Sequence, residues 1–176
     1  MSQEIVLIVG LGEIGYTLFA LLNDAKECFA VYGLDLDEAK MDALGQHKSK
    51  IPSKIDTLHV CIPCGSQDKF AEDVVGYVEE FKPKLAIINS IVPPGTTLKV
   101  AEGCKCLVAH SPARGVHKSA EHMRWEIKRW TKYVGGANAA ASEAARALLF
   151  RLKMGVRVIY HFKEILISNQ KQFTLP

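Results

Sequence analysis

No apolar run in this sequence approaches the roughly 20 residues needed to cross a bilayer, so no membrane-spanning helix is expected. Met1-Ser2-Gln3-Glu4 leads directly into a candidate strand and leaves no room for a secretory leader, which predicts a cytoplasmic protein. Charge excess is small as well. Over 176 residues, 22 Lys and Arg against 19 Asp and Glu leave +3, too little and too mixed to argue for a nucleic-acid partner. There are no internal repeats and no low-complexity linker, and the length suits one domain with one core. The five cysteines are an odd number, which argues for reduced thiols and against a disulfide framework.

What is present is most concentrated at the start. Ile5-Val6-Leu7-Ile8-Val9 is a buried-strand pattern that runs into Gly10-Leu11-Gly12-Glu13-Ile14-Gly15, a G-x-G-x-x-G spacing. Twenty residues after the last glycine, the next apolar run, Val31-Tyr32-Gly33-Leu34, ends on Asp35-Leu36-Asp37. This is the dinucleotide-binding fingerprint in its strand–turn–helix context. Gly10 permits the turn out of the strand, Gly12 lets backbone approach a pyrophosphate, and Gly15 lets the helix pack on the sheet. The helix that opens near Gly12 directs unpaired N–H groups and a positive dipole end at the phosphates, with Leu11, Glu13 and Ile14 lining the turn. Asp35, followed by Leu36, takes the adenine ribose. A carboxylate there repels a 2′-phosphate and no Arg or Lys immediately follows it, which predicts NAD over NADP.

Apolar runs of four to six residues alternate with helical segments along the rest of the chain. That pattern predicts an α/β fold: a doubly wound, mostly parallel Rossmann sheet with helices on both faces. The expected strands are Ile5–Val9, Phe29–Leu34, Thr57–Ile62, Leu85–Asn89, Cys106–His110, Tyr133–Val134 and Val156–Tyr160. Ile14, Leu18, Leu21 and Leu22 form one helix face, and Phe70, Val74, Val78 and Phe81 another. A further helix spans Ala137 to Leu152. The polar stretch from Gly45 to Ile55 lacks a strand pattern, so the third strand of a full mononucleotide half is shortened or missing. Residues 1–160 are read as the cofactor domain, and residues 161–176 as an arm, an extra strand or the stub of an absent second domain.

Two cysteine pairs resemble metal ligands: Cys61-Ile62-Pro63-Cys64 and Cys104-Lys105-Cys106. The first closes a strand at the carboxyl edge of the sheet and the second opens a parallel strand at the other edge. Those edges lie roughly 16 Å apart, beyond the reach of one zinc ion, so no metal site is expected. A redox role for Cys61 and Cys64 has the strand before it but no thioredoxin-like context.

Val60-Cys61-Ile62-Pro63, Asn89-Ser90-Ile91-Val92-Pro93-Pro94-Gly95-Thr96-Thr97 and Ser111-Pro112 follow the fingerprint in an order and spacing that resemble the N-terminal domain of UDP-glucose/GDP-mannose dehydrogenases. The resemblance implies an NAD-dependent oxidoreductase of the wider 6-phosphogluconate-dehydrogenase-like class. It places the nicotinamide across strand ends framed by Cys61, Ile62, Pro63, Asn89 and Ser90. Two departures stand out. The family's Thr after the Ser is Ile91 here, and the Glu of its S-P-E pattern is Ala113. Isoleucine cannot hydrogen-bond and alanine cannot move a proton. The family's nucleophilic Cys, with a Lys and an Asp, belongs to a later domain that this chain does not reach.

Ala109-His110-Ser111-Pro112-Ala113-Arg114-Gly115 is also similar to the H-P-x-x-G motif of prephenate and arogenate dehydrogenases, with Ser111 inserted. His110 is the candidate acid/base or substrate-orienting group, alongside a histidine satisfied by local backbone. Ser90 is the other catalytic candidate. From His110 to Lys132 basic residues outnumber acidic ones and Trp125 and Trp130 interleave. Arg114 and His117, next to the strand end, are candidates to hold a small anionic substrate such as a nucleotide sugar. A non-catalytic NAD(H)-sensing module is the competing expectation. Hydride chemistry in an open single-domain cleft needs a homo-oligomer, a second domain or a second subunit to close it.

Overall fold

The computed structural model describes residues 2–113 and 120–159, with residues 120 and 121 described by their backbone alone. Strand β1 (Glu4–Val9) lies inside the sheet, with Val6, Leu7, Ile8 and Val9 all buried. It pairs in parallel with β2 (Phe29–Leu34) on one side and β3 (Thr57–Val60) on the other. Parallel pairing then continues to β4 (Leu85–Ile88) and β5 (Leu107–His110). Covered on both faces, β3 and β4 are buried at every position, as the unbroken apolar run of β4 requires, and in β3 the polar Thr57 and His59 are buried with Leu58 and Val60. The sheet order is β2-β1-β3-β4-β5-β6-β7, with β6 (Lys132–Gly136) antiparallel to β5 and β7 (Val156–Val158) parallel to β6.

Helix α1 (Glu13–Asp24) buries Leu18, Leu21 and Leu22, and α3 (Gln67–Phe81) buries Phe70, Val74, Val78 and Phe81. Both match the stripes read from the sequence, except that Ile14, the first member of the α1 stripe, is only half-buried against the core. The Ser66 side chain accepts from Lys69 N–H to start α3, and Asn138 accepts from Ala141 N–H to start α6 (Ala139–Arg151). The extended cap at Asn138 explains why α6 begins two residues after Ala137. Because β1 connects to β2 on one side and the chain returns to β3 on the other, right-handed crossovers place α1 and α3 on opposite faces. Helix α4 (Thr96–Glu102) packs beside α3, and α5 (Ala120–Arg129) packs on α1. Met123 and Ile127, one helical turn apart, are buried in α5, and Arg124 pairs with Asp24 of α1.

Between α2 (Glu38–Ala43) and β3 there is a short 3₁₀ turn at Lys48–Lys50 and no strand. The absent strand leaves β2 as an edge. Gln46 covers part of it, its Oε1 accepting from Gly33 N–H at 3.1 Å. No helix among the described residues is long and apolar enough to cross a membrane. Arg114, His117, Tyr160 and the arm at residues 161–176 lie outside the described residues.

Candidate functional site

The chain order reverses between β1 and β3, and the crevice beyond their carboxyl ends is where open α/β sheets take ligands. Gly10 begins it. Its φ of +88° belongs to glycine, and a Cβ there would lie 2.7 Å from the carbonyl oxygen of Cys61. A Cβ on Gly15 would lie 1.8 Å from the Gly10 carbonyl oxygen, so helix and turn touch through backbone. Gly12 differs: a Cβ there would meet nothing within 4 Å, and no side chain caps the helix that it starts. The protein's own packing gives no reason for a glycine at this position. The side left open carries the uncapped N–H groups of α1, the geometry that receives a phosphate.

Asp35 closes the crevice toward β2. Its Oδ2 accepts from Leu11 N–H at 2.6 Å and its Oδ1 from Asp37 N–H at 2.9 Å. Partial burial works to raise the Asp35 pKa, but the N–H groups of Asp37 and Leu11 and the Lys40 ammonium outweigh it and hold the carboxyl below its usual value. Lys40 Nζ stands 3.6 Å from Oδ1. The sequence reading missed this cation because α2, which carries it five positions on, was not recognised as a helix that turns back over the strand end. Leu36, next to the acid, is 95% exposed.

Toward β4 and β5 the crevice floor is a buried polar network. Asn89 Nδ2 donates to the Ser111 carbonyl at 2.8 Å, which turns Oδ1 toward His59 Nδ1, also at 2.8 Å. The amide so oriented makes Nδ1 the protonated nitrogen of His59. Burial first, and the Lys132 charge in addition, bring the His59 pKa down to about 4 against the raising effect of Asn89. Its Nε2 and the Ser111 hydroxyl are buried without a hydrogen-bond partner among the described residues. Lys132, 2% exposed, donates to the carbonyls of Ser111 at 3.3 Å and Pro112 at 3.0 Å. The antiparallel β6 brings it there: with His110 opposite Gly135, Lys132 lies past the end of β5. In the sequence His59 reads as part of a strand and Lys132 as one of a run of basic residues, and only the ladder register shows that both are hydrogen-bonded into one network through Asn89 and Ser111.

Ser90 and His110 belong to the other side of the strands. Ser90 Oγ donates to the Ile62 carbonyl at 2.6 Å, and His110 Nε2 donates to the Ser90 carbonyl at 3.1 Å. His110 is 7% exposed, and burial, opposed by that hydrogen bond and aided by Lys132, lowers its pKa to about 4. It is a neutral imidazole near neutral pH with one N–H spent on the backbone, an arrangement suited to orienting a neighbour. Cys61 is half-buried with its sulfur turned inward, 4.0 Å from Asn89 Oδ1, and burial pushes its thiol up to about 12. Burial also raises Cys64. Burial thus disfavours the thiolate form at both cysteines.

Ile62 is half-buried and Pro63 exposed at the same rim, while Ile91 is 68% exposed and Ala113 contributes only its N–H, to the Asn89 carbonyl at 3.2 Å. In the basic segment, Arg124 is taken by Asp24, and Arg129 stacks 4.5 Å from the Trp125 ring centroid and 5.3 Å from that of Trp130. These two guanidinium groups serve helix packing and its surface.

No protein-family model matches this sequence, and no curated protein sequence matches it. Solved structures do match in three dimensions. UDP-N-acetyl-mannosamine dehydrogenase Cap5O from Staphylococcus aureus aligns with a TM-score of 0.74 at 16% identity, over 96% of this chain and 51% of its own. The 3-hydroxyisobutyrate dehydrogenase of Mycobacterium tuberculosis aligns at 0.70 and 18%, over 89% of this chain and 54% of its own. Prephenate dehydrogenase from A. aeolicus, solved with hydroxyphenyl propionate and NAD+, aligns at 0.72 and 16%, over 94% and 62%. The chain thus spans between half and two thirds of the length of these enzymes. At these identities the likeness establishes the architecture: this chain has the doubly wound α/β fold that is found in nucleotide-sugar, hydroxyisobutyrate and prephenate dehydrogenases.

Proposed function

We propose that this chain is the NAD-binding domain of a cytoplasmic NAD-dependent dehydrogenase. Its substrate is a small anion, a nucleotide sugar in the first instance, and a second domain or subunit completes its substrate side. One observation carries the reading. The glycine turn and Asp35 form a single hydrogen-bonded unit, and its Gly12 face is open and uncapped.

The residues present fit the cofactor. The backbone of Gly10, Leu11, Gly12, Glu13, Ile14 and Gly15 would hold the pyrophosphate at the start of α1. Each Asp35 oxygen keeps lone-pair capacity beyond its backbone partner for the ribose hydroxyls, and Leu36 offers an apolar surface to the adenine. Cys61, Ile62, Pro63, Asn89 and Ser90 would frame the nicotinamide end. NAD, when bound, supplies the hydride acceptor. The role of His110 is to keep Ser90 and the strand ends in place beside it as a neutral donor. Arg114 and His117 are proposed for the substrate anion.

A second reading has its own support. Ile91 and Ala113 stand where the nucleotide-sugar resemblance requires a hydrogen-bonding Thr and a proton-transferring Glu, which favours a module that binds NAD(H) without oxidising a sugar nucleotide. The H-P-x-x-G likeness keeps a prephenate-type substrate as a further variant of the enzyme reading. Absorbance at the NADH band separates the two, with NAD and pooled UDP- and GDP-sugars against an NADP control and hydroxyphenyl substrates in a parallel arm. A rise with NAD supports the dehydrogenase. A flat trace in every arm, from protein that binds NADH, supports the sensing module. Mass in solution bears on closure of the cleft, for which the account expects a homo-oligomer.

A further inference from the structure

Among the described residues, Lys132 is the only lysine or arginine that is buried. Its Nζ lies 3.0 Å from the Pro112 carbonyl and 3.3 Å from that of Ser111, and Asn89 Nδ2 donates to the same Ser111 carbonyl at 2.8 Å. Asn89 follows β4 and Ser111 follows β5, so the ammonium is anchored in the crevice floor where those two strands end. Its charge is felt on both faces of the sheet, since it helps to lower the pKa of His59 on one and of His110 on the other.

The rest of that floor brings no second charge. Burial keeps His59, His110 and the Cys61 thiol neutral near neutral pH. Glu126 of α5 turns its carboxylate back to its own helix, where Oε2 accepts from Trp130 Nε1 at 2.6 Å and Oε1 lies 3.7 Å from His122 Nε2. Asp35 and Lys40 stand at the other end of the crevice, beside β2, and Glu13 is exposed at the start of α1.

We propose that Lys132 determines specificity for the redox state of the cofactor: its ammonium makes the crevice hold NADH more tightly than NAD+. The inference rests on the dinucleotide reading above, with the nicotinamide at Asn89 and Ser90. Both forms of the cofactor share the adenosine, the pyrophosphate and the second ribose, so Asp35, Lys40 and the glycine turn treat them alike. They differ at the nicotinamide ring. The oxidised ring carries a formal positive charge, which is cancelled when it accepts a hydride, that is, two electrons and one proton. A fixed cation in the floor repels the oxidised ring and leaves the neutral one alone. At an effective dielectric constant of about 20, repulsion between unit charges within about 12 Å amounts to roughly a tenfold preference or more. Each tenfold raises the potential of the bound two-electron couple by about 30 mV. In a dehydrogenase this favours hydride uptake from the substrate, and in a sensing module it makes NADH the form that is reported.

Calorimetric titration of the full chain with NADH, NAD+ and ADP-ribose tests this, with Lys132→Met and Lys132→Arg in parallel and the fold of each variant checked by urea unfolding. ADP-ribose lacks the nicotinamide and reports on the shared half alone. NADH should bind roughly tenfold more tightly than NAD+ in the unmodified chain and in Lys132→Arg. Lys132→Met should shrink that ratio at least about threefold while ADP-ribose affinity stays within about twofold. Lys132→Gln, which also removes the charge but keeps a donor for the two carbonyls, serves where Lys132→Met does not fold. The proposal is overturned if the unmodified chain binds NAD+ as tightly as NADH, if the ratio survives loss of the charge, or if all three ligands weaken together, as a merely structural lysine would require. Loss of the dinucleotide reading looks different: none of the three ligands, ADP-ribose included, binds the unmodified chain, and the inference falls with it.

Discussion

The N–H of Leu11, in the middle of the glycine turn, donates to Oδ2 of Asp35 at the end of β2, 2.6 Å away. Turn and acid are therefore one device: the carboxylate that would receive the ribose also fixes the backbone that would receive the pyrophosphate. Asp35→Ala removes both functions. We expect NADH affinity to fall roughly 10- to 100-fold, the scale of a hydrogen bond to a charged group. Isothermal titration calorimetry measures it. Because the Asp35 pKa is lowered in the folded state, its contribution to stability is complete above the ordinary carboxylate range and is lost as pH falls through the folded value.

Lys40 alters the expectation for cofactor choice. Its ammonium beside Asp35 offsets part of the repulsion of a 2′-phosphate that the carboxylate alone would impose. Lys40→Ala should weaken NADPH binding more than NADH binding and so widen the preference for NADH. An unchanged ratio would place the ammonium away from the ribose.

The three glycines should separate by experiment. Gly12→Ala adds a Cβ that meets no protein atom, so stability should change by about 1 kcal/mol or less, the cost of a poorer helix cap. NADH affinity should nevertheless fall by roughly tenfold or more, about 1.4 kcal/mol or above. Gly15→Ala forces a Cβ against the Gly10 carbonyl and should cost at least about 3 kcal/mol of folding stability. Urea unfolding and NADH titration of both variants check the contrast.

His59 and His110 predict an acid-sensitive fold. Both have folded pKa values near 4, below the ordinary histidine value of 6.5, so the unfolded chain binds protons that the folded chain refuses. Their stabilising contribution is complete above about pH 6.5 and is lost between there and pH 4, roughly 3 kcal/mol for each. Urea midpoints measured from pH 7.5 to 4.5 should fall steadily. Lys132→Met should flatten that slope, since the Lys132 charge helps to lower both values.

Much of this was legible because it is local. Gly10 to Gly15 and Asp35 declare themselves by spacing, and the helix stripes by period. Strand ends were read to within two residues; for instance, β3 stops at Val60 although Cys61 N–H still bonds Val9 O. The direction of β6 was not legible, since Tyr133-Val134 reads the same in either sense. Lys132 at its start looked like a solvated charge because nothing local says that a returning strand will bury it under Ser111 and Pro112. The His59–Asn89–Ser111 network joins residues 30 and 22 positions apart, and the ladder register alone brings them into contact. Helix α2 hid for the opposite reason: at six residues it has one buried side chain, Met41, and no stripe to read.

NADH binding to the whole chain tests the central claim most directly, followed by titration calorimetry with NADPH and Gly12→Ala in parallel. The account predicts saturable binding of NADH that is tighter than that of NADPH and is weakened at least tenfold by Gly12→Ala in a protein of nearly unchanged stability. No binding of either nucleotide at millimolar concentration, or equal binding by the unmodified chain and Gly12→Ala, would contradict it.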